Sequence, residues 1–258
     1  LPVSFPGFTT SRDDFLISTV RSELEARIDA YFDPSISDAE IAARFPVVME
    51  PKQRFDPKKT RATLIKRGRS GGEICRAMYR PMDARWLYWD SDTKLLDEKR
   101  SDYKPYVFPG NLWIEARQKQ TIEEFSRGYV SSLFSDSFGN GRSSFFPLYQ
   151  TGTKLNLSKS AMEFVGSHGL PPETIFHRIV ATLHAPAYRQ ENAGALRMDW
   201  PRIPVPGNAA ILQQSGTTGG MLAMLLDPET PAPGVSTGTL RVGLKTLGLP
   251  TKRGNKGL

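Results

Sequence analysis

The sequence is poor in cysteine and has no long apolar run. It contains one cysteine, Cys75, in 258 residues, which excludes an internal disulfide framework and indicates a reducing, cytoplasmic environment. No stretch approaches the roughly eighteen apolar residues of a membrane-spanning helix, so no membrane partner is expected. The chain opens at Leu1 without the basic and apolar regions of a secretory signal. Because it also lacks an initiator methionine, we expect a fragment of a longer protein.

Motifs for several kinds of cofactor chemistry are missing as well. Segment 243–246 lacks the glycine that precedes lysine in a phosphate loop, and segment 139–141 lacks the third glycine of a dinucleotide fingerprint. His177 and His184 share a helical face but lack a partner at the four-residue spacing of zinc helices. Cys75 has no base near it in sequence. These features are expected to serve turns and packing, and no metal site is expected.

The residues that an adenine methyltransferase needs are absent too. Such an enzyme grips a flipped adenine with an Asn/Asp-Pro-Pro-aromatic loop, and it binds S-adenosylmethionine at a glycine-rich strand end. Neither feature is present in the chain. We therefore expect no cofactor and no catalytic residue of this kind in the fragment itself.

The composition and the order of helix and strand signals along the chain predict an α+β fold. With 39% hydrophobic and 10% aromatic residues, the chain can bury one large core or two modest ones. The expected order is a helical start, a β-rich middle and a helical close. The expected domains are a basic helical connector over residues 1–75 and a second domain over residues 76–258.

Capping signals predict several helix bounds. Ser37 and Glu40 form a capping box, and Asp56 before Pro57 is typical of a helix start that a glycine at 68 ends. Apolar spacing predicts helices over 20–31 and from Pro172 to just before Pro186. Further helices are expected from Pro186 towards Met198 and, in a short form, over 221–226.

The middle of the chain carries short aromatic and β-branched runs between turn residues, which favour strands. A hairpin turn is expected over 138–141. The predicted strands cover residues 85–89, 112–117, 129–134 and 144–149.

Positive charge is concentrated in one window. Between Lys52 and Arg85 eleven Lys or Arg stand against three acids, so the window carries +8 whereas the whole chain carries +7. Aromatic residues interleave with arginine from Tyr79 onward. This pattern favours a polyphosphate such as nucleic acid as the partner, although a solvated basic helix has the same charge pattern.

The same region also allows an enzymatic interpretation, as a magnesium-dependent nuclease. Asp83 followed by Asp92 and Lys94 imitates the acid, acid-x-lysine pattern of magnesium-dependent nucleases. The pattern is degenerate and arises often by chance. A third interpretation is a scaffold whose basic patch meets an acidic protein.

Four segments resemble the C-terminal specificity region of type ISP restriction-modification enzymes. They are Gly-Phe-Thr-Thr-Ser-Arg-Asp at 7–13, Tyr-Arg-Pro-Met-Asp-Ala-Arg-Trp at 79–86, Phe-Pro-Leu-Tyr at 146–149, and Leu-His-Ala-Pro-Ala-Tyr-Arg at 183–189 continued by Pro-Arg-Ile-Pro at 201–204. Met82 stands where that family usually has phenylalanine. The resemblance spans most of the chain in the expected order.

The resemblance implies recognition of double-stranded DNA beside a methyltransferase domain of the same parent chain. That parent would bind S-adenosylmethionine, and also ATP and Mg²⁺ where it carries helicase and nuclease domains. Residues expected to read bases are Arg117, Gln118, Lys119, Arg127 and Arg142. Residues expected to contact phosphates are Lys58, Lys59, Arg61, Lys66, Arg67, Arg80 and Arg85. Packing and turn roles, rather than DNA contacts, are expected for His184, Pro186, Tyr188, Pro201 and Pro204.

Overall fold

The computed structural model describes residues 1–119, 128–137, 142–232 and 234. Within these ranges the helices are α1 (Asp13–Leu16), α2 (Arg21–Phe32), α3 (Asp38–Arg44), α4 (Pro46–Met49), α5 (Pro57–Arg67), α6 (Lys159–Ser167), α7 (Glu173–His184), α8 (Pro186–Glu191), α9 (Ala193–Met198) and α10 (Ala209–Leu226). The strands are β1 (Phe5–Pro6), β2 (Ile17–Ser18), β3 (Gly72–Arg80), β4 (Asp83–Asp90), β5 (Trp113–Ala116), β6 (Val130–Ser131), β7 (Phe134–Ser135), β8 (Ser144–Pro147), β9 (Tyr149–Thr151) and β10 (Lys154–Leu155). The predicted α+β class is confirmed.

Two four-stranded sheets form the middle of the described structure. The first sheet has the order β2-β4-β3-β7, and the second has the order β1-β8-β5-β6. In the first sheet β3 and β4 form an antiparallel hairpin that pairs Arg80 with Asp83 at its turn, while β7 runs parallel to β3. In the second sheet β8 lies between β1 and β5 and is antiparallel to both.

Two apolar clusters hold these layers together. The first contains Tyr88, Tyr103 and Trp113 and joins the N-terminal helices to both sheets. The rings of Tyr103 and Trp113 meet edge to face with centroids 4.6 Å apart, a favoured aromatic geometry. The second cluster packs Ile114 and Val130 of the second sheet against the C-terminal helices. Residues on both sides of position 75 belong to the first cluster, and β3 crosses that position.

The predicted helix starts are confirmed. The Ser37 hydroxyl accepts a hydrogen bond from the backbone N–H of Glu40, whose side chain returns one to the Ser37 N–H. Asp56 caps α5 by accepting from the N–H of Lys59 at 2.9 Å, and Gly68 ends that helix with φ of +73°. Local rules therefore set the bounds of both elements.

The last helix is longer than expected because α10 covers eighteen residues rather than 221–226. Its glycines lower helix propensity, and for this reason the part of the helix before residue 221 was not predicted from the sequence. They are needed for packing against α7, since a Cβ at Gly219 would lie 1.7 Å from the carbonyl oxygen of His177 and one at Gly216 would lie 2.5 Å from Thr174 Cγ2. The close approach of the two helices stabilises a helix that local propensity disfavours.

Three other predicted elements are divided in the structure. The expected strand over 144–149 breaks at Leu148 into β8 and β9, which belong to different sheets. The expected strand over 129–134 is split between β6 and β7, which belong to different sheets. Asp227 stabilises the chain between these two strands, because it accepts hydrogen bonds from the N–H and the hydroxyl of Ser132, both at 3.1 Å. The helix expected from Pro186 towards Met198 divides at Asn192 into α8 and α9. The hairpin turn expected over 138–141 lies outside the described residues.

Candidate nucleic-acid interface

The outer face of α5 carries lysine. Lys58, Lys59 and Lys66 fall on the exposed side of the helix, while Thr60 and Leu64 face the protein. The helical repeat of 3.6 residues brings positions 58, 59 and 66 onto one stripe. Arg54, in the turn before the helix, is exposed as well. We call Arg54, Lys58, Lys59 and Lys66 the basic face.

Ion pairs separate the basic face from the rest of the charged window. Seven of its eleven cations lie within 4.0 Å of a carboxylate: Lys52, Arg61, Arg67, Arg69, Arg76, Arg80 and Arg85. The remaining four are the members of the basic face, which have no ion-pair partner in the part of the chain that the structure describes. Most acids in these pairs come from outside the window. The charge available to an external anion is therefore concentrated on α5.

Arg61 was expected to contact phosphate, and in the structure its guanidinium is bound within the protein. Its side chain is 5% exposed and donates to Asp38 at 2.6 Å. It also donates to the backbone oxygens of Tyr31, Asp33 and Ile36 at 2.7 to 2.9 Å. Four hydrogen bonds occupy nearly the whole guanidinium fork, so Arg61 holds the chain between α2 and α3.

Arg67 is also committed to the fold. Its guanidinium pairs with Asp90, which is fully buried, and donates to Asp92 at 2.6 Å. Asp90 in turn accepts from the N–H groups of Asp92 and Thr93 at 3.2 and 2.8 Å. Arg67 thus neutralises a buried carboxylate where β4 ends, which limits its use for an external phosphate.

Two arginines near the hairpin turn stack on one tyrosine. Arg80 and Arg85 lie 3.8 and 4.3 Å from the ring centroid of Tyr79, within the range of cation–π contact. Arg85 is bidentate to Asp83, whereas the Arg80–Asp136 contact is 3.4 Å and leaves the Arg80 side chain 37% exposed. Burial, together with a hydrogen bond to Asp13, raises the pKa of Tyr79 to about 12. Both arginines remain partly accessible.

A groove opens beside the first turn of α5. Its volume is about 830 Å³, and its walls run from Met49 through the turn to Lys59 and across to the loop after β4. Cations on these walls are Lys52, Arg54, Lys58, Lys59 and Lys94. The contributions of Lys52, Arg54 and Lys94 were not predicted, although the Lys-Gln-Arg run just before the N-cap of α5 was a signal for two of them. Two carboxylates, Asp56 and Asp92, lie on the same walls, so the groove keeps a positive excess, which suits a polyanion.

Predicted base-reading residues gather at one end of the second sheet. Ala116 pairs with Ser144 at the end of β5 and β8, so Arg117 and Gln118 leave β5 where Arg142 approaches β8. Gln118 and Arg142 are exposed and Arg117 is half-buried. Gln118 Nε2 donates to Asp199 Oδ1 at 3.3 Å. Lys119 is exposed, and Arg127 lies outside the described residues.

An ion pair of Arg117 with Glu115, or with a carboxylate on a neighbouring strand, is the structural alternative to base reading. In the structure Glu115 is buried and accepts a hydrogen bond from the Ser143 hydroxyl. Among the described residues Arg117 has no ion pair. The strand therefore does not depend on an Arg117–Glu115 contact.

The geometry does not assemble the magnesium pattern. Asp83 begins β4 and Asp92 follows its end, so a strand of eight residues, about 25 Å long, separates them. Asp83 is bound to Arg85 and Asp92 to Arg67. No cluster of three possible metal ligands occurs in residues 1–119, 128–137, 142–232 and 234.

The expected packing roles of His184 and Tyr188 agree with their contacts. His184 Nε2 lies 2.9 Å from the Gly128 oxygen, and burial lowers the pKa of its imidazole. The Tyr188 hydroxyl donates to the Arg202 oxygen at 3.0 Å.

Burial raises the pKa of the Cys75 thiol to about 12, so the thiolate that a nucleophile requires is disfavoured. No described helix has both the length and the apolar character needed to cross a membrane.

Comparisons with solved structures identify the fold. The chain aligns with a chain of the DrdV–DNA complex at a TM-score of 0.63 and 20% identity, over 87% of this chain and 23% of that one. It aligns with a nuclease-deletion mutant of the Type ISP restriction-modification enzyme LlaGI in complex with a DNA substrate mimic at a TM-score of 0.56 and 19% identity, over 86% and 21%. For the ATP-dependent Type ISP restriction-modification enzyme LlaBIII bound to DNA the values are 0.57 and 16%, over 86% and 15%.

The chain therefore spans less than a quarter of the length of each of these three structures. At such identities the structural likeness shows the fold alone. No curated protein sequence matches the chain. The profile of the Type ISP C-terminal specificity domain matches residues 1–238, which is most of the chain. This chain belongs to the Type ISP C-terminal specificity domain family.

Proposed function

We propose that this chain recognises a DNA sequence as the specificity part of a restriction-modification N6-adenine DNA methyltransferase. It binds double-stranded DNA and supplies no catalytic residue of its own. The methyltransferase domain of the parent chain would bind S-adenosylmethionine and modify the adenine. Helicase and nuclease domains, where the parent carries them, would use ATP and Mg²⁺.

The observation that carries the proposal is the basic face. Among the described residues, four cations on and beside α5 have no ion-pair partner, while the other seven cations of the charged window pair with carboxylates of the same chain. An exposed charge that no internal partner neutralises is available to phosphates. Family membership supports the choice of DNA over another polyanion.

The two halves of the interface would have different roles. The basic face and the groove beside it would bind the sugar-phosphate backbone, which positions the duplex without reading its sequence. The end of β5 and β8, with Arg117, Gln118 and Arg142, would present donors to base edges in the major groove. Lys119 and Arg127 belong to the same proposal.

A charge-matched experiment tests the proposal. The triple variant Lys58→Gln, Lys59→Gln and Lys66→Gln is compared with Arg44→Gln, Lys154→Gln and Lys159→Gln, three exposed cations elsewhere on the chain. Both triples remove the same charge. Binding of a fluorescent duplex is followed by anisotropy at several salt concentrations.

We expect the α5 triple to bind all duplexes more weakly and to reduce the salt slope by about 0.9 per lost phosphate contact. The control triple should keep the wild-type slope. Equal losses in the two triples would show that only net charge matters and would contradict a defined basic face. A wild-type chain without duplex affinity would contradict the proposed function as a whole.

A further inference from the structure

An exposed arginine stands on an unusually well-anchored backbone after α9. Arg202 has a side chain that is 90% exposed, yet its carbonyl oxygen accepts a hydrogen bond from the hydroxyl of Tyr188, which is buried. Two residues later the carbonyl oxygen of Pro204 accepts from Arg178 Nε at 3.0 Å and Nη2 at 2.6 Å. The flanking prolines at 201 and 204 restrict φ as well. The backbone is fixed while the side chain faces solvent.

This arginine lies beside the predicted base-reading residues. Asp199 links the two, because its Oδ1 accepts from Gln118 at 3.3 Å and its Oδ2 accepts from Arg202 at 3.4 Å. Between them Trp200 packs edge to face on Phe146 of β8, with ring centroids 5.4 Å apart. The 199–204 segment is therefore attached to the end of β5 and β8.

The internal contact of Arg202 does not account for this arrangement. Its pair with Asp199 is long, monodentate and exposed on both sides, and such surface pairs contribute between zero and about 1 kcal/mol. The side chain packs in no core. The backbone around Arg202 is thus fixed by hydrogen bonds to two carbonyl oxygens and by two prolines. The contacts of the Arg202 guanidinium itself stabilise the fold very little.

We propose that Arg202 binds a DNA phosphate at the edge of the base-reading end and that Tyr188 is its positioning residue. This inference rests on the proposed function and adds a contact that lies far along the chain from α5. A phosphate contact next to the base-reading residues would fix the register of the duplex against them. A rigid backbone reduces the conformational entropy that such a contact loses on binding.

Three single variants of the full chain test the inference, with a random-sequence duplex pool as the probe. Arg202→Ala should weaken binding about fivefold, the scale of one exposed charge-assisted contact, and should lower the salt slope by about 0.9. Arg197→Ala removes the same charge from α9 and should leave affinity and slope near wild type. Tyr188→Phe should weaken binding while leaving the slope unchanged, because no charge is lost.

Several outcomes would overturn the inference. They are wild-type affinity of Arg202→Ala for the random-sequence pool, or an equal loss of affinity for Arg197→Ala. A thermal melt of each variant shows whether the fold persists. If the α5 triple loses affinity but Arg202→Ala does not, the inference fails while the proposed function stands. If the wild type binds no duplex, both fail.

Discussion

Arg61, whose side chain is buried, forms an ion pair with the partly exposed Asp38, with Nη1 2.6 Å from Oδ1. The same guanidinium binds three backbone oxygens of the chain between α2 and α3. One side chain of α5 therefore fixes the path of the preceding helices. The exposed side chains of Lys58 and Lys59, on the same helix, have no ion-pair partner among the described residues.

Removal of the Arg61 guanidinium should destabilise the fold. Arg61→Ala leaves a carboxylate and three carbonyl oxygens without a donor, and we expect it to lower the free energy of unfolding by about 3 kcal/mol. Arg61→Lys should recover little, because an ammonium cannot reproduce the fork. Urea unfolding measures both. Lys59→Ala, as the matched control on the same helix, should unfold at the wild-type midpoint, and an equal loss there would contradict the distinction.

The contact between α7 and α10 should be sensitive to a single methyl group. Gly219→Ala would place Cβ 1.7 Å from the His177 oxygen, so the helices must separate, and we expect a loss of about 2–3 kcal/mol. Gly220→Ala meets no atom closer than 3.7 Å. It should stabilise the protein by up to about 1 kcal/mol through helix propensity. Thermal melts of the two variants should therefore shift in opposite directions.

The hairpin between β3 and β4 carries strain at its turn. Met82 has φ of +61° and a 59% exposed side chain, although the residue after Pro81 in such a turn favours glycine. Met82→Gly should raise the free energy of unfolding by about 1 kcal/mol. Met82→Ala keeps the strain and loses only exposed surface, so it should remain near wild type. A gain with alanine as large as with glycine would show that the backbone is not responsible.

Stability should fall in strongly alkaline solution. Burial raises the pKa of Tyr79 and Tyr88 to about 12 from the usual 10. Since the folded pKa is the higher one, the stabilising contribution of each protonated phenol is complete below pH 10 and is lost as pH rises towards 12. Denaturant midpoints measured between pH 9 and pH 12 should decline. Tyr79→Phe should flatten that decline, and an unchanged profile would contradict the assignment.

Specificity should depend on the end of β5. Gln118→Ala is expected to cost about 1–3 kcal/mol on the target sequence while binding to scrambled duplexes stays nearly intact. Arg117→Ala should behave similarly, because no described ion pair makes it part of the scaffold. Affinity for both duplexes and the melting temperature are measured on the same variants. Loss of all three together would identify a structural residue instead.

Local signals predicted much of the fold, and contacts distant in sequence explain the errors. The caps at Ser37 and Asp56 were predictable because their hydrogen bonds stay within three residues. The length of α10 was not, since its glycines are needed only where α7 crosses. Charge alone located the basic window, yet it could not show that Arg61 is buried against Asp38 or that Arg67 neutralises Asp90. Those acids lie outside the window, so only the folded chain separates structural arginines from exposed lysines.

The pairing of β1 with β8 has a consequence for biosynthesis. Phe5 pairs with Phe145, so β1 can pair only after β8, 140 residues later in the chain, has been synthesised. Pairings of such sequence separation form slowly because long loops must close first. Until residues 144–147 have been made, β1 therefore has no strand to pair with.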